Sequence, residues 1–376
     1  MWWNKRTYLD IAAGFCHAGA GYSLAKAGVS GNPSSPHEEG RKAKKMLEDA
    51  RTTIARLVEV QSDDIIFTSG ATEANAIALL GVLKEGDHAF YLPSAHASIA
   101  QNMGLLSERG IEVEALPIKD GRVDCEKLKE LLRPQTKLVA MDAVCGETGV
   151  VWNTREVRHA IGANVLLHVD ASQAPLTEKI SRAHFGADLL TFDASKVGAV
   201  RGIGALVAHR TIPITPLYRG GGQERELRPG SEAPELAKEF AAALRAAVLG
   251  RESFCATAKR DRKQLVETIV KNIPFVQINE GHAQAPNILN LSLPGRDTDY
   301  LVMLLDEAGF SVSTRSACET DSQEGSRAVF ALTGDQERAR ATLRISWSSN
   351  TTSRELNRFA EELTHAVAFI DSSNQR

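Results

Sequence analysis

Two side chains and one turn follow apolar runs, where their types could do chemistry together. Lys196 stands in Asp193-Ala194-Ser195-Lys196, between the run Leu189-Leu190-Thr191-Phe192 and a glycine-rich stretch from Gly198 to Gly204. Partial burial there would disfavour its charged form and leave an amine able to attack an aldehyde. Asp170 ends the run His168-Val169-Asp170, with Gln173 one helical turn on. A carboxylate at the C-terminal end of a parallel strand points into the crevice where such sheets bind ligands; alone, it reads equally well as a helix cap. Ser69-Gly70-Ala71-Thr72-Glu73 separates a strand pattern from a helix pattern. The free N–H groups and positive dipole end of that helix suit a phosphate, although the turn by itself is ordinary.

Taken together, the three meet the needs of pyridoxal phosphate. A lysine forms the Schiff base, a carboxylate keeps the pyridine nitrogen protonated, and a helix N-terminus holds the phosphate. A fourth feature is Cys318, in Ser311-Val312-Ser313-Thr314-Arg315-Ser316-Ala317-Cys318-Glu319, followed by the polar stretch Thr320–Ser326. Few anchors there predict a mobile loop. A lone cysteine is usually a small buried hydrophobe, but this one keeps polar company. Glu319, Asp321 and Glu324 do not favour its thiolate, so activation has to come from elsewhere in the site.

The elements that must position these groups follow from periodicity. Strand patterns occur at 65–68, 89–92, 113–116, 137–141, 165–169, 189–192 and 204–208, with helix patterns between several of them, over 96–108 for example. Repeated units of this kind predict an α/β fold with a mostly parallel sheet between helices. A glycine-rich stretch, 219–230, interrupts the pattern, and a long helical block follows over 232–269. The remainder reads as α+β, with strands at 288–293, 311–313 and 342–346 and helices at 297–308 and 352–370. Two units are expected: a large cofactor-binding one over 13–245, and a small α+β one from 1–12 and 246–376.

Composition narrows the function classes. The 376 residues are 43% hydrophobic and 24% charged, with 44 basic against 47 acidic side chains and a net charge of −3. That balance offers no electrostatic footprint for nucleic acid or an anionic membrane, and no apolar run approaches the ~18 residues of a membrane span. Five scattered cysteines, without a CxxC pair, argue against a disulfide framework or a zinc site and for a reducing cytoplasm.

Further motifs fall into an order that resembles the cysteine desulfurases, class V aminotransferase-like enzymes of PLP-dependent fold type I. They are Gly31-Asn32-Pro33-Ser34-Ser35-Pro36-His37, the turn 69–75, His96, His168–Gln173, Lys196, the segment 220–232, Ser316-Ala317-Cys318 and Leu343-Arg344-Ile345-Ser346. They span nearly the whole chain. The resemblance implies pyridoxal 5'-phosphate as cofactor and L-cysteine as substrate. Lys196 would carry the cofactor and shuttle the α-proton, Asp170 would pair with the ring nitrogen and Gln173 would hydrogen-bond the ring hydroxyl. His96 would stack on the ring and assist proton transfer; its bland alternative is a polar residue at a helix start. Ala71, Thr72 and Ser195 would hold the phosphate, and Ser231 would reach that of the partner subunit in a homodimer. Arg344 would bind the substrate carboxylate, and Cys318 would take the sulfur as a persulfide. The sulfur would pass to an acceptor or scaffold protein, for iron–sulfur cluster assembly or thiolation. The alternatives are a selenocysteine lyase or aminotransferase of the same class, or a non-catalytic PLP-binding scaffold.

Departures from the family pattern are also legible. Ser195 replaces the usual histidine before the lysine, and Asp193 stands where a phosphate-binding serine is usual. An anion facing a phosphate dianion is unfavourable unless it turns away or meets a cation. Val197-Gly198-Ala199-Val200-Arg201 replaces the usual aromatic-Gly-Pro-Lys, and Cys145-Gly146-Glu147 replaces Asn-Asn-Glu. Cys145 reads as a small buried residue rather than a rival nucleophile.

Overall fold

The structure is a computed structural model that describes residues 6–15, 31–198, 200–314 and 325–373. Its main sheet is built from β1 (Ile65–Thr68), β2 (His88–Tyr91), β3 (Glu112–Ala115), β4 (Thr136–Asp142), β5 (Leu166–Asp170), β6 (Leu189–Asp193) and β7 (Gly204–Ala208). The spatial order is β1-β7-β6-β5-β4-β2-β3, parallel throughout except β7, which runs antiparallel to β1 and β6. Strands β1 and β7 are buried at every position, as apolar runs covered on both faces require.

Register does the positioning. Asp142 lies opposite Asp170, Asp170 opposite Thr191, and Gly204 opposite both Asp193 and Thr68. The last residues of β1, β4, β5 and β6 therefore meet along one edge. Gly204 lets them close up: a Cβ there would stand 2.7 Å from the Gly70 carbonyl carbon and 2.7 Å from the Phe192 oxygen.

Two helices leave this edge, α2 (Ala71–Val82) after β1 and α3 (Ala97–Glu108) after β2. A helix that the strand series does not announce, α1 (Glu38–Val58), precedes them. Ala43, Leu47, Ala50, Ile54 and Val58 form its buried stripe, the His37 ring accepts from the Gly40 N–H, and Glu38 and Glu39 complement the dipole. The long helix α4 (Pro234–Asn272) covers the predicted block 232–269 and packs along α1.

α4 serves two apolar cores. Phe240 and Leu244 join the core of the main sheet, while Leu265 and Ile269 join a second one. That second core lies on the antiparallel sheet of β8 (Gln277–Ile278), β9 (Ile288–Ser292) and β10 (Thr342–Ser346), with α5 (Thr298–Glu307) and a later helix, Ser353–Ser373. Thr7–Tyr8 pairs in parallel with Phe310–Ser311, and Asp10 bridges to Ser346. The N-terminal segment thus joins the second sheet before Ala12 enters the first core. No helix among the described residues is long and apolar enough to cross a membrane.

Candidate active site

The strand edge opens into a cavity of about 240 Å³ lined by Thr72, His96, Asp142, Asp170, Lys196 and Arg344 among others. Ala71, Gln173 and Ser195 also line it, so most of the sequence-predicted site residues come together. Ser231 does not line the cavity and is exposed on the glycine-rich segment. Cys318 and Arg315 lie outside the described residues, as does most of the polar stretch after them. The end of that stretch is described: Ser326 is buried and caps the helix Arg327–Thr333, accepting from the Val329 N–H at 3.0 Å.

Asp170 is buried at the end of β5. One oxygen accepts from the Ser172 N–H at 2.9 Å, and the other from the Asn75 side-chain amide at 2.7 Å. The Asn75 amide also donates to the Ser98 hydroxyl at 2.8 Å, and that hydroxyl meets His96 Nδ1 at 2.8 Å. His96 is the N-cap of α3, as its position before a helix pattern suggested, and its ring lines the cavity. Arg327 braces the turn before it, donating to the Pro93 and Ala95 carbonyls at 2.7 and 2.8 Å. Next to Asp170, His168 is fully buried and shares a 3.1 Å bond with the Thr191 hydroxyl. Burial pulls its imidazole down to about 4 against the pull of Asp170, so the ring is neutral at physiological pH.

Lys196 follows β6 in a short 3-10 turn, and its amine donates to the Ala12 carbonyl at 2.7 Å. The Gln173 amide donates to the same oxygen at 2.9 Å. Burial holds the lysine below its ordinary value; Arg344 pushes the same way, while Asp193, Asp170 and Asp10 oppose. Arg344 is buried on β10. It donates to an Asp10 oxygen at 2.6 Å and to the Gly146 carbonyl at 3.1 Å, while its Nε has no partner among the described residues. The other Asp10 oxygen accepts from the Ser313 hydroxyl at 2.8 Å. Neither Asp10 nor Asn75 had been assigned a role from sequence. Asn75 sits within the 69–75 motif, but Asp10 had no local signal pointing to Arg344.

At the start of α2 the Ala71 N–H donates to Asp193 at 2.9 Å, and the other Asp193 oxygen accepts from the Ser195 N–H and hydroxyl at 2.8 and 2.6 Å. Glu73, in the same turn, accepts from the Tyr218 hydroxyl at 2.8 Å and pairs with Arg228 at 3.2 Å.

Asp142 is the second acid that sequence reasoning passed over, although it ends a predicted strand as Asp170 does. It is buried, lines the cavity and accepts from the His96 N–H at 3.3 Å. Burial, reinforced by Asp170 across the register, raises it well above its ordinary value of 3.8, with the His96 N–H and Arg327 only partly opposing. A carboxyl raised in the folded state costs stability as pH climbs above its unfolded value, because the folded protein keeps a proton that the unfolded chain has released. Asp142→Asn is therefore expected to raise Tm near pH 7 and to lose that advantage toward about pH 4. Thermal unfolding across that pH range checks it; an equal effect at both ends contradicts it. Cys145, also in the cavity, is buried, and its thiol is pushed up to about 11 by burial and by Asp142. It stays protonated at neutral pH, which disfavours it as a nucleophile.

The family profile described as aminotransferase class-V matches residues 22–359. Cysteine desulfurase IscS 1 of Archaeoglobus fulgidus is 33% identical over 351 residues, which cover 91% of each chain. A solved NifS-like protein superposes with a TM-score of 0.87 at 27% identity, over 97% of this chain and 100% of that one. The NifS-like protein of Rickettsia africae gives a TM-score of 0.86 at 26% identity, over 96% and 99%. The profile match takes in every residue that lines the cavity except Ala12 and Ala13. The chain belongs to the class-V aminotransferases, a pyridoxal-phosphate-dependent family of fold type I, and within them to the cysteine desulfurases.

Proposed function

We propose that the protein removes sulfur from L-cysteine with pyridoxal 5'-phosphate, leaving L-alanine and an enzyme persulfide for iron–sulfur cluster assembly or thiolation. The observation that carries this reading is the convergence of Lys196, Asp170, Gln173 and Arg344 on one cavity. The residues suit the cofactor ring. Asp170 accepts one neutral hydrogen bond on each oxygen, and a carboxylate has about four lone-pair sites, so room remains for a ring N–H. The Ser94 and Ser172 hydroxyls are buried, line the cavity and lack partners among the described residues.

When bound, pyridoxal phosphate supplies an electrophilic aldehyde and a ring that accepts electrons. Lys196, its charged form disfavoured by burial, would hold the cofactor through its aldehyde and would take the proton from the substrate Cα. Asp170, braced by Asn75 and Ser172, holds a proton at the ring nitrogen, and Gln173 turns to the ring hydroxyl. His96, fixed by Ser98, would cover the ring and move protons at the substrate. Arg344 receives the substrate carboxylate, where its planar fork matches two oxygens, and shares that fork with Asp10. Cys318 forms a bond to the substrate sulfur as the substrate C–S bond breaks. The electron pair stays with the carbon skeleton, which takes up a proton and leaves as alanine. Ser231 would contact the phosphate of a second copy in a homodimer. Tyr218, just before the glycine-rich segment, and Arg228, within it, both reach Glu73 in the turn that begins α2.

Purified protein given the cofactor and L-cysteine is expected to release alanine and, with a thiol present, sulfide in equal amounts. Cys318→Ser should keep the spectral response to cysteine and lose persulfide and sulfide, and Cys145→Ala should lose neither. Sulfide that persists in Cys318→Ser and vanishes in Cys145→Ala would show the nucleophile to be Cys145. Sulfide independent of both thiols would point to a related lyase or aminotransferase, and no product at all to a scaffold.

A further inference from the structure

The start of α2 already holds an anion. Asp193 sits against the Ala71 N–H at 2.9 Å and is fixed from its other oxygen by the Ser195 N–H and hydroxyl. Gly70 permits the approach, since a Cβ there would stand 3.1 Å from the carboxylate oxygen. Three donors therefore serve a carboxylate at the place where the cofactor phosphate would seek N–H groups and positive dipole. Ala71 and Ser195, which supply all three, are two of the three residues the sequence assigned to the phosphate.

Two of the three cations nearby are already engaged. Arg228 is committed to Glu73, and the Lys196 amine is bonded to the Ala12 carbonyl. The exposed Arg201 places Nη2 near Gly14, within 4 Å of a point that Ser195 Oγ also approaches, and remains the one cation available to offset a second anion among these three.

The geometry points to Asp193 as a built-in carboxylate that occupies the phosphate cradle, so that the protein distinguishes only weakly between pyridoxal 5'-phosphate and the unphosphorylated aldehyde, pyridoxal. This rests on the reading of the cavity as a cofactor site and concerns its selectivity. A phosphate dianion has to displace Asp193 from the Ala71 N–H or accept its charge at short range, and like charges at such distances repel strongly where water is partly excluded. Pyridoxal, lacking the phosphate, leaves the carboxylate where it is.

The test titrates the apoprotein with each aldehyde and follows the visible absorption that develops on condensation with Lys196. The wild type is expected to prefer the phosphorylated form by less than about tenfold. Asp193→Ser, which restores a neutral donor, and Asp193→Asn, which removes the charge and keeps an acceptor, should each raise that preference by about tenfold or more, equivalent to about 1.4 kcal/mol. The gain should lie in tighter binding of the phosphorylated form, with pyridoxal unchanged. A wild-type preference of a hundredfold or more, unaltered in both variants, overturns the inference. Thermal unfolding with added inorganic phosphate supplies a second arm. A phosphate-dependent rise in Tm in the variants but not in the wild type supports the role of Asp193, and equal responses in all three proteins overturn it. If neither aldehyde produces a band in any protein, the cofactor reading itself falls, and the phosphate arm alone decides on Asp193.

Discussion

Lys196→Ala is expected to lose the visible absorption band and all measurable release of alanine from cysteine. Two functions disappear with one amine: the bond to the cofactor aldehyde and the base that moves the substrate α-proton. Proton transfer alone contributes about 10²–10⁴-fold in enzymes that use a positioned side chain. The amine is favoured at this position by burial, which weakens its charged form, and by the Ala12 carbonyl, which orients it. Fold should survive, because among the described residues the lysine amine hydrogen-bonds that carbonyl alone. Borohydride reduction of the wild type followed by mass spectrometry should place the cofactor on Lys196. Label on any other lysine would refute the assignment.

Glu224→Gln is expected to cost about 3–5 kcal/mol of stability, the usual result of stripping one partner from a buried ion pair. Arg51 on α1 donates to the two Glu224 oxygens at 2.8 and 2.6 Å, and the Phe67 N–H donates to one of them at 2.7 Å. Both side chains are nearly inaccessible, at 10% and 1% exposure. The guanidinium also lies 4.8 Å from the centre of the Phe67 ring and donates to the Ile65 carbonyl. Losing the charge at Glu224 leaves that buried cation with only the half-exposed Glu48, at 3.2 Å, as counterion. The pair also pins the glycine-rich segment: Glu224, Arg225 and Glu226 all take positive φ, at 46°, 61° and 63°, a conformation that non-glycine residues hold only when surroundings impose it. Denaturant unfolding should show the loss, and Arg51→Met combined with Glu224→Leu should recover most of it. A double variant as unstable as the single one would place the effect in backbone strain rather than in the uncompensated charge.

Much of the cavity lining was readable from the sequence. Lys196, Asp170 and the Ala71–Thr72 turn each follow an apolar run, and a chain that alternates strands and helices sets such turns along one edge of its sheet. The antiparallel β7 was less visible, because short apolar runs carry no sign of direction. α1 lay outside the strand series from which the fold was built, although its apolar stripe and acidic first turn are plain once its start is known. Asp142 carried the same strand-end signal as Asp170 and was overlooked for want of a motif around it.

The sequence by itself determined the alternation of elements, the order of the motifs and the identity of the groups that can do chemistry. All of these depend on residues close together in the chain. Tertiary structure alone decided which groups touch. Arg344 meets Asp10 across nearly the whole chain, Asn75 holds Asp170 from another strand's helix, and Asp193 reaches the Ala71 N–H from β6. The sequence marked Asp193 as an anion near a phosphate site and left two fates open, turning away or meeting a cation. The fold chose a third, because the register that sets Gly204 opposite both Thr68 and Asp193 brings the carboxylate to the unpaired N–H of α2.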